Sequence, residues 1–207
     1  MQLIADRVTV VIADRVVLDE VDLTIETGEL CALMGPSGSG KTTMLSVLSG
    51  SRTPSSGVVR VAGTSINACR AEQVVAWVPQ GSNALGARTV RDNAMIGALA
   101  RGCSIRDASV AAESILKDVG LGARMKDSAA NLSGGELQRL AIARAVGADK
   151  SFLLADEPTG NLDRATAKDV MRVLRELTSK GKGILMATHD PFVAELCDHV
   201  LDLSSRK

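Results

Sequence analysis

A glycine-rich segment between an apolar run and a helical run has the residue types that hold phosphate groups. Residues 35–42 match the spacing G-x-x-x-x-G-K-[S/T] without a gap. Glycines allow successive backbone N–H groups to point into one concavity, and a helix that begins there adds the positive end of its dipole. The candidate phosphate-binding residues are Gly35, Pro36, Ser37, Gly38, Ser39, Gly40, Lys41, Thr42 and Thr43.

The competing interpretation of this segment is a Gly/Ser-rich turn that happens to precede a helix. A chance match of this kind occurs in about one chain of this length in a hundred at average residue frequencies. Here the segment follows the apolar run 30–34 and opens the helical run 41–49, which is the context of a phosphate loop. It therefore predicts nucleotide binding, with the Lys41 charge on the outer phosphates and the Thr42 hydroxyl on Mg²⁺.

Two carboxylates follow a second apolar run. Residues 152–155 read as a buried strand, and Asp156 and Glu157 come directly after it. Two acids in such a place are about as often a solvated turn. Beside a phosphate loop, however, the first acid can hold Mg²⁺ and the second can orient or deprotonate an attacking water.

Strands alternate with helices along the chain, which indicates an α/β fold with a largely parallel sheet. Apolar or β-branched runs predict strands at 3–11, 16–25, 30–34, 58–62, 74–78, 152–155 and 184–187. Helical periodicity and end signals predict helices at 41–49, from Ser104 to Gly120, across 167–177 and from Pro191. Mostly helical signals fill the segment from Gln80 to Gly147, which reads as a helical insertion.

The composition argues against a nucleic-acid-binding protein. Lys plus Arg equals Asp plus Glu at 24 each, so no basic field attracts the chain to nucleic acid. The aromatic residues are Trp77, Phe152 and Phe192, too few for a base-stacking surface. We expect no nucleic acid among the partners.

The same reading predicts a cytoplasmic protein. The cysteines are scattered, without metal-ligand spacing, and so read as apolar residues of a reducing compartment: Cys31, Cys69, Cys103 and Cys197. Charges at Asp6 and Arg7 interrupt the place of a signal peptide, and no apolar run approaches the length of a membrane span. Any contact with a membrane is expected to go through a partner, at the inner face of the cell membrane.

Four further segments together resemble the ATP-binding subunits of ABC transporters. The run 132–139, LSGGELQR, resembles the signature motif of that family, although its Ser133 and Glu136 also fit a simple helix-capping box. The other three are the Val-Pro-Gln at 78–80, like the Q-loop, DEPTGNLD at 156–163, like the Walker B and D-loop, and ATHD at 187–190, like the H-loop. They occur in the family's order and cover nearly the whole chain.

The resemblance implies a fold and a set of parts. We expect one ABC ATPase domain over 1–207, with a RecA-like P-loop core and an antiparallel β subdomain from about 1–82 and 148–207. A helical signature subdomain is expected over about 83–147. The wording DEPTGNLD resembles the group that contains macrolide-exporter, lipoprotein-release and cell-division ATPases.

The resemblance also implies roles within the chain's own nucleotide site. ATP and Mg²⁺ are the expected ligands. Lys41 should contact the β- and γ-phosphates, with Thr42 and Gln80 near Mg²⁺ and the attacking water. Asp156 should hold the metal and Glu157 should be the general base.

Other residues are implied at the γ-phosphate and between two subunits. His189 should contact the γ-phosphate. Ser133 and Gly135 should contact nucleotide bound by the opposite subunit, and Asp163 should lie at the dimer interface. Two identical chains would then enclose two ATP molecules, and a homodimer is expected.

One position departs from the family pattern. ABC ATPases usually have an aromatic residue between the first two strands that stacks on adenine, whereas this chain has Val11 or Ile12 there and no Tyr. We therefore expect weak discrimination between ATP and GTP.

Two functions remain open at this point. The first is an ATPase that drives a membrane permease, whose coupling helix should dock near residues 81–98. The second is an ABC ATPase that moves a signalling or mechanical membrane partner without transport. A DNA-repair or translation role is disfavoured because the chain has neither a long coiled-coil insertion nor a second cassette, and an inactive binding module is disfavoured because Lys41, Asp156, Glu157 and His189 are all present.

Overall fold

The computed structural model describes residues 1–63 and 70–203, and Cys69 lies outside these ranges. Eight strands are formed in the described residues: β1 (Gln2–Ile12), β2 (Arg15–Glu26), β3 (Leu30–Met34), β4 (Ser56–Ala62), β5 (Val75–Val78), β6 (Phe152–Asp156), β7 (Gly183–Thr188) and β8 (His199–Asp202). The α-helices there are α1 (Lys41–Leu48), α2 (Ala71–Val74), α3 (Val90–Ala100), α4 (Ile105–Asp118), α5 (Gly134–Gly147), α6 (Arg164–Ser179) and α7 (Pro191–Ala194).

The larger sheet is parallel, with the strand order β5-β6-β7-β3-β8. The neighbours β5 and β6 are joined through α3, α4 and α5, and β6 and β7 through α6. The α/β prediction is confirmed, with two local corrections. Val74 ends the short helix α2 instead of starting a strand, and the edge strand β8 is absent from the sequence prediction.

The smaller sheet is antiparallel, with the order β2-β1-β4. Its first hairpin turns at Ala13 and Asp14, which both have positive φ (46° and 61°), as a two-residue turn requires for the twist of the strands. The strands leave Val11, Ile12 and Val16 exposed around this turn. An apolar surface therefore lies where the sequence lacks the expected aromatic residue.

The parallel sheet has a hydrophobic core on each face, because successive side chains of a strand point to opposite sides. In β7, Ile184 and Met186 pack against the helical side, and Leu185 and Ala187 pack against α1 and the antiparallel sheet. Burial on both faces explains why β3, β6 and β7 read as continuous apolar runs.

Three helices pack together in the segment between β5 and β6. Thr89, Ser104 and Ser133 accept backbone hydrogen bonds at the starts of α3, α4 and α5. A Cβ atom on Gly97 would clash with the carbonyl oxygen of Arg144, so the glycine allows α3 to approach α5 closely. None of the helices within residues 1–63 and 70–203 has the length and apolar character that a bilayer crossing needs.

Candidate functional site

The phosphate loop connects the end of β3 to the first residue of α1. Gly40 has φ 95°, and a Cβ atom there would lie 2.7 Å from Leu18 Cδ2, so this position requires glycine. The buried Lys41 ammonium donates hydrogen bonds to the carbonyl oxygens of Gly35 and Pro36, at 2.7 and 3.1 Å. The lysine charge is thereby held against the loop itself.

A cleft of about 340 Å³ lies over this loop. It collects most of the residues that the sequence analysis assigned to the chain's own nucleotide site. Its lining consists of Val17, Ser37, Gly38, Gly40, Lys41, Thr42, Thr43, Gln80, Asp156, Glu157 and His189. Of these, Val17 was not predicted, because no motif marks a valine that lies three residues beyond the β1–β2 turn.

The tip of β6 meets the first turn of α1. The Thr42 hydroxyl donates a hydrogen bond of 2.8 Å to Asp156 Oδ2 across 114 residues of sequence. Burial raises the pKa of the Asp156 carboxyl, and Glu157 acts in the same direction, while the Thr42 hydroxyl and Lys41 act against it. A buried carboxylate of this kind gains from a nearby cation.

The second carboxylate is held by backbone contacts on both sides. Glu157 has φ 47°, its N–H donates to Ala187 O at 3.0 Å, and its carbonyl accepts from Gly160 N at 3.2 Å. His189 Nδ1 lies 3.0 Å from Glu157 Oε1, and because a carboxylate only accepts, the imidazole is the donor. The ends of β6 and β7 thus place an acid and a histidine together in the cleft.

The predicted subunit-facing residues lie apart from this lining. Ser133 caps α5 and is exposed, as is Asp163, which caps α6 through Ala165 N, Thr166 N and the Thr166 hydroxyl. Gly135 is buried, and a Cβ atom there would clash with Thr166 Cγ2. The first turns of α5 and α6 are therefore in direct contact.

The residues of the cleft fit a nucleoside triphosphate with Mg²⁺. Ser39 lies in the phosphate loop itself, outside the cleft lining, and its Oγ is buried without a hydrogen-bond partner among the described residues, in a loop built to receive phosphate oxygens. The Lys41 ammonium is held against that loop, and the hydroxyl of Thr42 and carboxylate of Asp156 are hard oxygen ligands of the type that Mg²⁺ prefers. A parallel sheet with this loop and this acidic strand end defines the class of P-loop nucleoside triphosphatases.

Comparison with known proteins identifies the family within the P-loop nucleoside triphosphatases. The profile of the ABC transporter family matches residues 18–160. The lipoprotein-releasing system ATP-binding protein LolD of Anaeromyxobacter dehalogenans is 43% identical over 196 residues, which cover 90% of this chain and 82% of LolD. The macrolide export ATP-binding/permease protein MacB of Neisseria meningitidis is 34% identical over 194 residues, and these cover 90% of this chain but only 30% of MacB.

Solved structures agree with the family profile. The cbiO1 protein of Clostridium perfringens, part of the ABC transporter complex cbiONQ, has a TM-score of 0.86 at 26% identity over 97% of this chain and 83% of its own. A dimeric ATP-binding cassette in a post-hydrolysis state with ADP and Pi has a TM-score of 0.81 at 28% identity, over 97% of this chain and 93% of its own. The chain belongs to the ABC transporter family and is an ATP-hydrolysing, nucleotide-binding domain of it.

Proposed function

We propose that this chain works as a homodimer that encloses two MgATP molecules and drives an integral membrane permease. The observation that carries the proposal is the separation of the site into two parts within one subunit. One cleft holds Lys41, Asp156, Glu157 and His189 together, whereas the signature residue Ser133 is exposed elsewhere. A second copy that brings its own Ser133 to the cleft would complete each site.

Within the cleft, each assigned role follows from the chemistry of the side chain. Lys41 neutralises the outer phosphates of ATP, and Thr42, Asp156 and Gln80 supply the oxygen ligands for Mg²⁺, which when bound offsets phosphate charge. Glu157 accepts a proton from the attacking water. His189 holds the Glu157 carboxylate in place and faces the same cleft.

The subunit-facing residues suit a negatively charged ligand. Helix α5 begins at Gly134 with Ser133 as its cap, so its positive end is available to phosphate oxygens of a partner's ATP. Asp163 caps α6, and the starts of α5 and α6 touch through Gly135 and Thr166, so Asp163 lies next to the start of α5. We propose that this pair of helix starts forms the half-site that closes over the opposite nucleotide.

A groove of about 260 Å³ supports the proposed permease contact. It lies beside the segment that follows Gln80, with Ser82 and Asn83 on one side and small residues of α3 and α5 on the other, which leave room for a helix of a partner. Arg144 also lines the groove and donates a hydrogen bond to the carbonyl oxygen of Asn83. We propose that the helical unit of about 83–147 receives the permease here and the rest of the chain, about 1–82 and 148–207, holds ATP.

The similarity to LolD and MacB supports a permease that works in lipoprotein release or export. In that arrangement the chain lies on the inner face of the cell membrane and touches the bilayer only through its partner. No nucleic acid takes part. The proposed cycle is closure of the dimer on ATP, which moves the permease, followed by hydrolysis and release.

The test is a pull-down of the Glu157→Gln protein with MgATP from solubilised membranes of the source organism, read by mass spectrometry. The expected result is a multi-span membrane protein in stoichiometric amount. Ala100→Trp, which fills the groove, should abolish its recovery, whereas Leu99→Trp, on the same helix but outside the groove lining, should not. Recovery of soluble proteins alone would contradict the permease assignment, and a recovered membrane sensor or enzyme would replace it with the non-transport alternative.

A further inference from the structure

Arg124 lies at the end of a 3₁₀ turn (Gly122–Arg124) and reaches the start of α5. Its Nη1 atom donates a hydrogen bond of 2.7 Å to Glu136 Oε1, and its Nη2 atom donates one of 3.2 Å to Asn131 O. Its Nε atom also donates to Asp127. One guanidinium therefore joins two points of the loop that precedes α5, the signature helix, to Glu136 in the first turn of that helix. The arginine side chain is two-thirds buried, with 33% exposed.

The Glu136 carboxylate in turn holds Ser133. Its Oε2 atom accepts hydrogen bonds from both the backbone N–H and the hydroxyl of Ser133, each 2.9 Å long. These two contacts with Ser133 lower the pKa of Glu136, as do the nearby Arg124 and Arg139, while burial acts against them. Arg124 is thus connected to the exposed serine through a single carboxylate, with one oxygen of Glu136 for each partner.

We propose that Arg124 is a positioning residue for ATP-dependent dimer formation: it neutralises Glu136 and thereby keeps Ser133 able to receive the phosphates of the opposite subunit's ATP. This inference rests on the proposed dimeric function. A motif comparison does not find Arg124, because it lies nine residues before Ser133 and outside the run 132–139. Arg124 is identified by the hydrogen bonds that connect it to Ser133 through Glu136.

Charge is the physical reason that such a residue is needed. A triphosphate that docks at Ser133 comes close to the carboxylate that already holds this serine, and two negative charges at hydrogen-bonding distances repel each other. A guanidinium held on the other carboxylate oxygen cancels this charge at its source, and Arg suits the place because its rigid fork can contact Glu136, Asp127 and Asn131 at once. Arg139, on the next turn of α5, adds positive charge but is not part of the loop.

The test is a double-mutant cycle in the Glu157→Gln protein, with the MgATP concentration for half-maximal dimer formation measured by analytical ultracentrifugation. Arg124→Ala should raise that concentration roughly tenfold or more, the range for losing a charge-assisted hydrogen bond. In the Glu136→Gln background, Arg124→Ala should raise the MgATP concentration for half-maximal dimer formation by less than about threefold, because no carboxylate charge remains to be neutralised. Arg124→Lys, which keeps the charge but not the fork, should lie between these values.

Two measurements and a control variant separate this role from loop stability alone. Nucleotide affinity of the monomer and the thermal unfolding midpoint are recorded for every variant, and Arg91→Ala, which removes an exposed 3.9 Å ion pair with Glu113, serves as the matched control and should leave dimer formation unchanged. If Arg124→Ala raises the MgATP concentration for half-maximal dimer formation equally with Glu or Gln at position 136, the role of Arg124 is overturned, while the proposed dimeric function stands. Failure of the parent Glu157→Gln protein to dimerise with MgATP would instead overturn the proposed function, and this role with it.

Discussion

The replacement Glu157→Gln tests the chemistry of the cleft most directly, because it removes a base and leaves a side chain of the same shape. The amide oxygen of glutamine can still accept the hydrogen bond from His189 Nδ1, and the backbone contacts of residue 157 with Ala187 O and Gly160 N are unaffected. We therefore expect little change in folding free energy, about 0–1 kcal/mol, the usual range for a partly exposed polar substitution.

The expected loss of turnover follows from the role of a general base. Such a group contributes about 10²- to 10⁴-fold to the rate, which corresponds to about 3–5 kcal/mol of transition-state free energy. Turnover is measured by phosphate release at saturating MgATP, and binding by titration with a fluorescent ATP analogue. We expect kcat to fall at least a hundredfold, with nucleotide affinity within a fewfold of the parent. The variant should also accumulate as an ATP-bound dimer.

A matched control is available on α6, where Glu176 is exposed and does not line the cleft. Glu176→Gln changes the net charge by the same amount and should hydrolyse ATP at the parental rate. Turnover of Glu157→Gln within about threefold of the parent would remove Glu157 as the base, because an amide cannot accept the proton. Another group in the cleft would then have to accept the proton of the attacking water.

Three further predictions follow from the site and its surroundings. Lys41→Ala should lose both MgATP binding and turnover, and normal binding in a titration would refute the phosphate-loop assignment. The affinities for GTP and ATP, measured by competition, should agree within about threefold, because Val11 and Ile12 offer only apolar contact to the base. Ile12→Tyr should strengthen ATP binding roughly fivefold or more through stacking on the base. A strong preference of the parent for ATP would contradict this prediction. Hydrogen bonds from Arg175 lower the pKa of Asp198, so the stability that the carboxylate contributes is present in full above its unfolded pKa of about 3.9 and is lost as the pH falls through the lower folded pKa. Asp198→Asn should therefore lower the free energy of unfolding by about 1 kcal/mol in urea at pH 7 and by less at pH 3, and an equal loss at both pH values would refute the charge effect.

Most of the parallel sheet could be predicted from sequence because its strands are buried on both faces. The runs at β3, β6 and β7 are apolar without interruption, which is a strong signal. The edge strand β8 carries the sequence His-Val-Leu-Asp and is mostly exposed, so neither a continuous apolar run nor a clean alternation marks it. Its place is decided by pairing with β3, a contact between residues more than 160 positions apart.

The cleft residues could be predicted one by one, but their mutual contacts could not. Motifs identified Glu157 and His189 separately, and only the register of β6 on β7 brings their side chains to 3.0 Å. Val17 enters the lining because α1 packs beneath the antiparallel sheet, which is a property of tertiary packing. The roles of these residues remain predictions until the variants are measured.

The partners of the acidic residues follow one physical requirement. A protein that binds a triphosphate must keep carboxylates near the phosphates for metal binding and proton transfer, and each of them repels the substrate unless another group compensates it. Asp156 accepts from Thr42, Glu157 accepts from His189, and Glu136 accepts from Arg124. The first two pairs lie in the cleft of one subunit, and the third lies beside the serine that we assign to the other subunit's nucleotide. If Arg124 compensates Glu136 as we propose, each of these carboxylates is held by a hydrogen-bond donor, and at the start of α5 the donor is a cation that prepares Ser133 for phosphate before a second subunit arrives.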